Sequence, residues 1–238
     1  SAPGAGSIGT AQLASDSVTL AKMASGTDGN IISYDASGNP VAVATGNDGQ
    51  VLTSAGAGAP PVFETPDVVL LHTTAAMSGS TVAVDNVFSS TYTNYKVIIS
   101  NYYPASETIP EFRFRGGGSA LTAANYIYVH DRIEINSSGV GAATTASAFN
   151  NTLAAWHQEV DGGSSSYSSQ TTIDIFNPIL SKPTWWRTAS NGWDNSRAYV
   201  VNMTGGGTYN NNASVDGIQF STSSGNISGG TLKIYGFK

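Results

Sequence analysis

The sequence predicts an all-β protein: an N-terminal repeat stalk with small hairpins over residues 1–66, then an antiparallel, jelly-roll-like β-sandwich over residues 67–238. Three observations lead there. Two repeat systems fill the first segment. Short runs that alternate polar and apolar residues, separated by glycine-rich turns, fill the second. Helical periodicity is almost absent from both.

The first repeat is a pair of decapeptides, SIGTAQLASD (Ser7 to Asp16) followed by SVTLAKMASG (Ser17 to Gly26). Ile8, Leu13, Val18 and Met23 return every five residues, a spacing that matches neither a helix nor an alternating strand. A unit that cannot bury its apolar residues alone must stack on neighbours, in the same chain or in other copies. Ahead of it, a Gly/Ala/Ser-rich arm, SAPGAGSIGT, buries too little surface to offset its own chain entropy.

The second repeat aligns Gly26–Val43 with Gly46–Phe63 at an offset of twenty residues. In each copy an Asp-Gly pair (Asp28-Gly29, Asp48-Gly49) opens a short β-branched run, and a glycine-containing turn ending in proline (Pro40, Pro60) reverses the chain. Each copy therefore reads as a β-hairpin. Isolated hairpins are marginal in water, so Ile31 and Val51 join Ile8, Leu13, Val18 and Met23 as the residues expected to pack against neighbours, in the same chain or, as oligomerisation residues, in other copies.

The texture changes at Thr65-Pro66-Asp67. Strands are expected at Val68–Leu71, Thr81–Val84, Lys96–Ile99, Glu111–Arg115, Tyr126–Val129, Arg132–Ile135, Thr172–Phe176, Arg197–Val201, Gly217–Phe220 and Thr231–Tyr235. Several alternate strictly, as in a sheet with one buried face. Gly116–Gly118, Ser137–Gly139, Asp161–Gly163 and Gly205–Gly207 read as the connecting loops. One helix candidate stands out, around Ala146–Ala155.

Composition narrows the function classes. Charged residues make up 11% of the chain, against roughly 25% in a typical soluble protein, and polarity comes instead from Ser, Thr, Asn and 27 glycines. The net charge of −6 and the lack of any Lys/Arg cluster argue against a nucleic-acid partner. Cysteine is absent, so neither a disulfide framework nor a thiolate metal site is available. No apolar run approaches the ~20 residues that span a bilayer, so membrane insertion is not expected.

The decapeptides, together with the GNDGQVLTSAGAGAPPVF segment (Gly46 to Phe63), resemble the shaft and neck segments of bacteriophage tail fibres and related virion appendages. The closing residues Ile227–Gly236 are similar to the last strand of many phage tip domains. The resemblance implies a non-enzymatic virion structural protein on the particle surface. It would be a homotrimeric fibre or spike, joined to other virion proteins through its N-terminal segment and presenting a C-terminal domain to a host glycan. With only two copies of each repeat, a capsid or tail decoration protein without receptor binding is the alternative. A polysaccharide depolymerase has the least support.

Residue types give little reason to expect catalysis, a cofactor or a metal. His72, His130 and His157 are far apart in sequence and fit no metal-ligand spacing, so each reads as a solvent or sheet-face residue. Asp131, Glu134, Glu159, Asp161 and Asp174 are carboxylates by type alone for a glycosidase pair. Asp161, Asp194 and Asp216 follow no calcium-loop pattern.

The one concentration of ligand-type residues is Lys182–Asn195, where three of the four tryptophans fall within nine residues. Aromatic faces stack on sugar rings while amides, carboxylates and guanidinium groups bind hydroxyls. Trp185, Trp186, Arg187, Asn191, Trp193 and Asp194 are accordingly the candidate glycan contacts. If the segment is a strand, adjacent Trp185 and Trp186 face opposite sides, and packing in the core or at a subunit contact competes with sugar binding for them.

Overall fold

The computed structural model describes Gly4, Gly6, Leu13 and residues 25–139, 141–194 and 199–238. It is all-β and antiparallel, in two compact units, Ser1–Pro66 and Asp67–Lys238. Ile8, Val18 and Met23, and with them most of the decapeptide pair, lie outside the described residues.

In the first unit each copy of the second repeat forms a hairpin. β1 (Ile31–Tyr34) pairs with β2 (Pro40–Val43), and β3 (Val51–Thr53) with β4 (Val62–Glu64). The first turn is built by Asp35, whose Oδ1 accepts hydrogen bonds from the Ser37 and Asn39 backbone N–H groups, both at 2.8 Å. In the same turn Gly38 takes the positive φ of 79° that a side chain would resist. Ile31, Ile32, Tyr34, Val51, Leu52 and Val62 are exposed, and Val43 is the buried apolar residue of this unit among those described.

The second unit is a β-sandwich. One sheet has eight strands in the order β11-β10-β15-β14-β13-β7-β17-β5. These are β5 (Val68–Thr74), β7 (Asn94–Pro104), β10 (Tyr126–Asn136), β11 (Gly141–Asn151), β13 (Ser169–Phe176), β14 (Thr184–Asp194), β15 (Tyr199–Tyr209) and β17 (Ile227–Phe237). The other sheet orders β12 (Ala154–Ala155), β8 (Pro110–Gly116), β16 (Gly217–Thr222) and β6 (Thr81–Val84), with β9 (Ser119–Ala120) also paired to β8. A jelly roll divides about eight strands between two sheets. Here one sheet holds eight by itself.

Alternation puts one face of each sheet in the core. Val97, Ile99, Ile173, Ile175, Leu232 and Ile234 come from the larger sheet and meet Phe112, Phe114, Ile218 and Phe220 from the smaller. At one end an aromatic cluster closes the gap. The Trp186 ring lies 5.3 Å from Phe112 and 5.7 Å from Phe114, and Tyr126 and Tyr209 are 4.8 Å apart. The buried Tyr126 hydroxyl is satisfied, since it accepts from the Phe114 N–H at 2.8 Å and donates to the Leu121 carbonyl at 3.1 Å.

Three expectations are corrected. Ala146–Ala155 is not helical: it spans the end of β11, a short connection and β12, because pairing with β10 and β8 supplies the ladder that the small side chains do not suggest. Tyr126–Val129 and Arg132–Ile135 belong to one eleven-residue strand, β10. Gly205–Gly207 is not a loop but the interior of β15, bonded on both sides to β10 and β14.

Candidate functional site

The tryptophan-rich segment is strand β14, an interior strand of the eight-stranded sheet, and the ladder fixes which side chains share a face. Thr184, Trp186, Thr188, Ser190, Gly192 and Asp194 point inward and are buried, whereas Trp185, Arg187, Ala189 and Asn191 are exposed and Trp193 is half-buried on the opposite face. The candidate set is therefore split. Trp185, Arg187, Asn191 and Trp193 share the outer face of the sheet. Trp186, 3% exposed, and Asp194, 1% exposed, are removed from any ligand on that face.

On the outer face the register builds three rows. Trp185, Thr208 and Ile127 form the first, Arg187, Gly206 and Val129 the second, and Ala189, Thr204 and Asp131 the third. The middle row has no side chain at Gly206, which leaves a trough of about 600 Å³ walled by Trp185 on one side and Val129 on the other. Trp185 is 58% exposed. Arg187 turns along its row to Asp174, with Nη2 2.7 Å from Oδ2, and Lys96 reaches the other carboxylate oxygen at 2.6 Å. Burial works to raise the Asp174 pKa, but the hydrogen bonds from Lys96 and Arg187 outweigh it and hold the carboxyl below its usual range. Further along, Trp193 meets Tyr167 edge to face at 5.7 Å.

The glycine triplet makes this geometry. Gly205 and Gly207 face the core, where a Cβ at 205 would lie 2.0 Å from His130 Cδ2 and a Cβ at 207 would lie 2.7 Å from the Trp186 ring. A Cβ at Gly206 would lie 2.7 Å from the Trp186 carbonyl oxygen. All three positions allow a close approach, and the trough on the outer face follows from it.

Two of the three histidines are not the solvent or sheet-face residues that the sequence suggests. His130, 1% exposed, and His157, 0% exposed, are buried, and they line one cleft. Burial pushes His130 down to about 4, against the opposing pull of Asp131. Burial first, then the charge of Arg132, pushes His157 down to about 3, with a backbone contact to Glu159 opposing. Nothing in the local sequence could have paired them, because one lies on β10 and the other on the segment after β12. Close by, carboxylate oxygens of Glu107, Glu159 and Asp194 lie within 4.8 Å of one another. Arg132 binds Asp194 and Glu134 and supplies positive charge there. The Glu159 carboxyl is pushed up, chiefly by burial and then by Asp194 and Glu107.

The predicted packing residues Ile31 and Val51 are exposed on their hairpins, at 38% and 46%, and Leu13 is exposed at 48%. No helix among the described residues is long and apolar enough to cross a membrane. Compared with known protein families, with curated proteins and with solved structures, the chain matches none.

Proposed function

We propose that the chain is a bacteriophage virion structural protein, a trimeric fibre or spike. Its N-terminal repeats pack against those of two other copies, and its sandwich attaches to a host-surface glycan. The observation that carries the reading is the pair of repeat hairpins, which leave Ile31, Ile32, Val51 and Leu52 exposed and so call for neighbours. The resemblance of residues 7–63 to phage shaft segments supports the same reading. On the sandwich, the exposed Trp185 beside the Gly206 trough offers a ring face of the kind on which sugars stack.

Light scattering of the full chain on a sizing column tests assembly. The expected mass is three chains, falling when Ile32 and Leu52 are both changed to serine. A monomeric wild type would favour the decoration reading, in which only the particle orders the arm. Binding to an array of bacterial surface glycans tests attachment. Capture is expected, with loss in Trp185→Ala; capture unchanged in that variant removes the trough from the reading.

A further inference from the structure

At the β10–β11 end of the larger sheet, the inner face of β10 beyond Tyr126 faces Glu111 of β8, Ala155 of β12 and the segment that follows β12. The result is a cleft of about 470 Å³. Tyr128, His130 and Arg132 line it from β10, His157 and Glu159 from the facing segment, and Glu111 from β8. This size is within the range of small-molecule sites.

Its lining is polar and incompletely satisfied. Neither ring nitrogen of His130 has a hydrogen-bond partner among the described residues, and the same holds for Arg132 Nε. An imidazole buried to 1% exposure and left unpaired is destabilising, and a ligand hydroxyl supplies the missing partner. At neutral pH that ring is uncharged, so it offers one donor and one acceptor. Arg132 has its charge balanced by Asp194 and Glu134, while burial raises the Glu111 carboxyl and Arg113 opposes the rise. The Tyr128 ring lies 5.2 Å from the His130 ring and adds an aromatic surface.

A free anion in this cleft would face Glu111 and Glu159, and the positive charge of Arg132 is already taken up by Asp194 and Glu134. Mixed donors and acceptors next to an aromatic ring suit a neutral, hydroxyl-rich ring instead. We propose that the cleft binds one neutral sugar unit, packed against Tyr128 and hydrogen-bonded by His130, Arg132 Nε and Glu111. This places a second sugar site on the opposite side of the sheet from Trp185. It rests on the attachment reading only for the source of the sugar.

The test uses the full chain and NMR, with methyl glycosides of glucose, galactose, mannose, rhamnose and N-acetylglucosamine as probes and acetate and methylammonium as charged controls. The His130 Cε1–H signal is assigned by its loss in His130→Gln. At least one glycoside is expected to move that signal, and neither control is. Glu111→Gln is expected to weaken the binding about tenfold, the effect of one hydrogen bond to a charged group. Trp185→Ala should leave it unchanged. The proposal is overturned if no glycoside moves the signal, if a control moves it equally, or if Glu111→Gln binds as wild type does. Glycan-array capture with a silent His130 refutes the cleft and leaves attachment standing. A shifted His130 without array capture refutes attachment and leaves the cleft standing.

Discussion

At the scale of single residues, the buried histidines set how the fold responds to acid. With folded values of about 4 and about 3, His130 and His157 stay neutral in the sandwich, whereas in the unfolded chain each protonates near 6.5. Between those limits the unfolded state binds more protons, so stability falls as pH drops below about 6.5. Glu111 and Glu159, whose carboxyls burial raises, act in the opposite sense, from a starting point below that of the histidines. Urea denaturation at pH 7 and pH 5 should therefore show a lower midpoint at pH 5, and His130→Gln should flatten the difference. A second prediction concerns Gly205. Gly205→Ala drives a methyl group into the His130 ring and the Val129 carbonyl oxygen, the latter at 2.5 Å, and should cost about 1–3 kcal/mol or more, read as a fall in thermal midpoint. Neither effect was legible in the sequence. A histidine's burial depends on which strands cover it, and three glycines in a row carry the same signal in a loop and in a strand that others approach closely.

At the scale of elements, β14 is the one where the candidate site changed most: its tryptophans stood out in the sequence, but the eleven-residue strand that carries them was not among the strands expected there. Alternation alone implied that Trp185 and Trp186 face opposite ways; which of them faces the core followed only from the placement of Phe112 and Phe114 on the second sheet. The pair should separate cleanly on mutation. Trp186→Ala removes a ring from the aromatic cluster and should cost about 3–5 kcal/mol, while Trp185→Ala should stay within about 0.5 kcal/mol in stability. Chemical denaturation of both variants checks this. Strands with strong β-branched alternation, such as Thr172–Phe176 in β13, could be read directly. β11 could not, because its sequence GAATTASAFNN holds small and amide residues with little strand preference. Its conformation comes from its register with β10, in which Thr145 donates a hydrogen bond to Asp131 at 3.1 Å.

At the scale of the whole molecule, the change of texture at Thr65-Pro66-Asp67 coincides with the division between the two compact units. The polar, charge-poor composition was informative about fold class because it suits tight turns and short strands. It said nothing about how the strands would be shared between sheets. That division is a long-range property: β12 is two residues long, and β8, β16 and β6 come from widely separated parts of the chain. The inequality of the sheets leaves β10 and β11 without a full second layer, and so creates the cleft at His130 that no local motif announces.

The same inequality has a consequence for solubility. β11 is the last strand of its sheet, eleven residues long, with no buried residue, no charge and no proline. Its outer backbone groups form an unfinished ladder, a template onto which another extended chain can add. Thr145→Lys places an ammonium opposite Asp131 and blunts that template, and it should raise the temperature at which scattering from a concentrated sample begins. Until something covers it, the sheet ends in a growing edge, and the protein's resistance to fibrillar self-association depends on how that one strand is occupied.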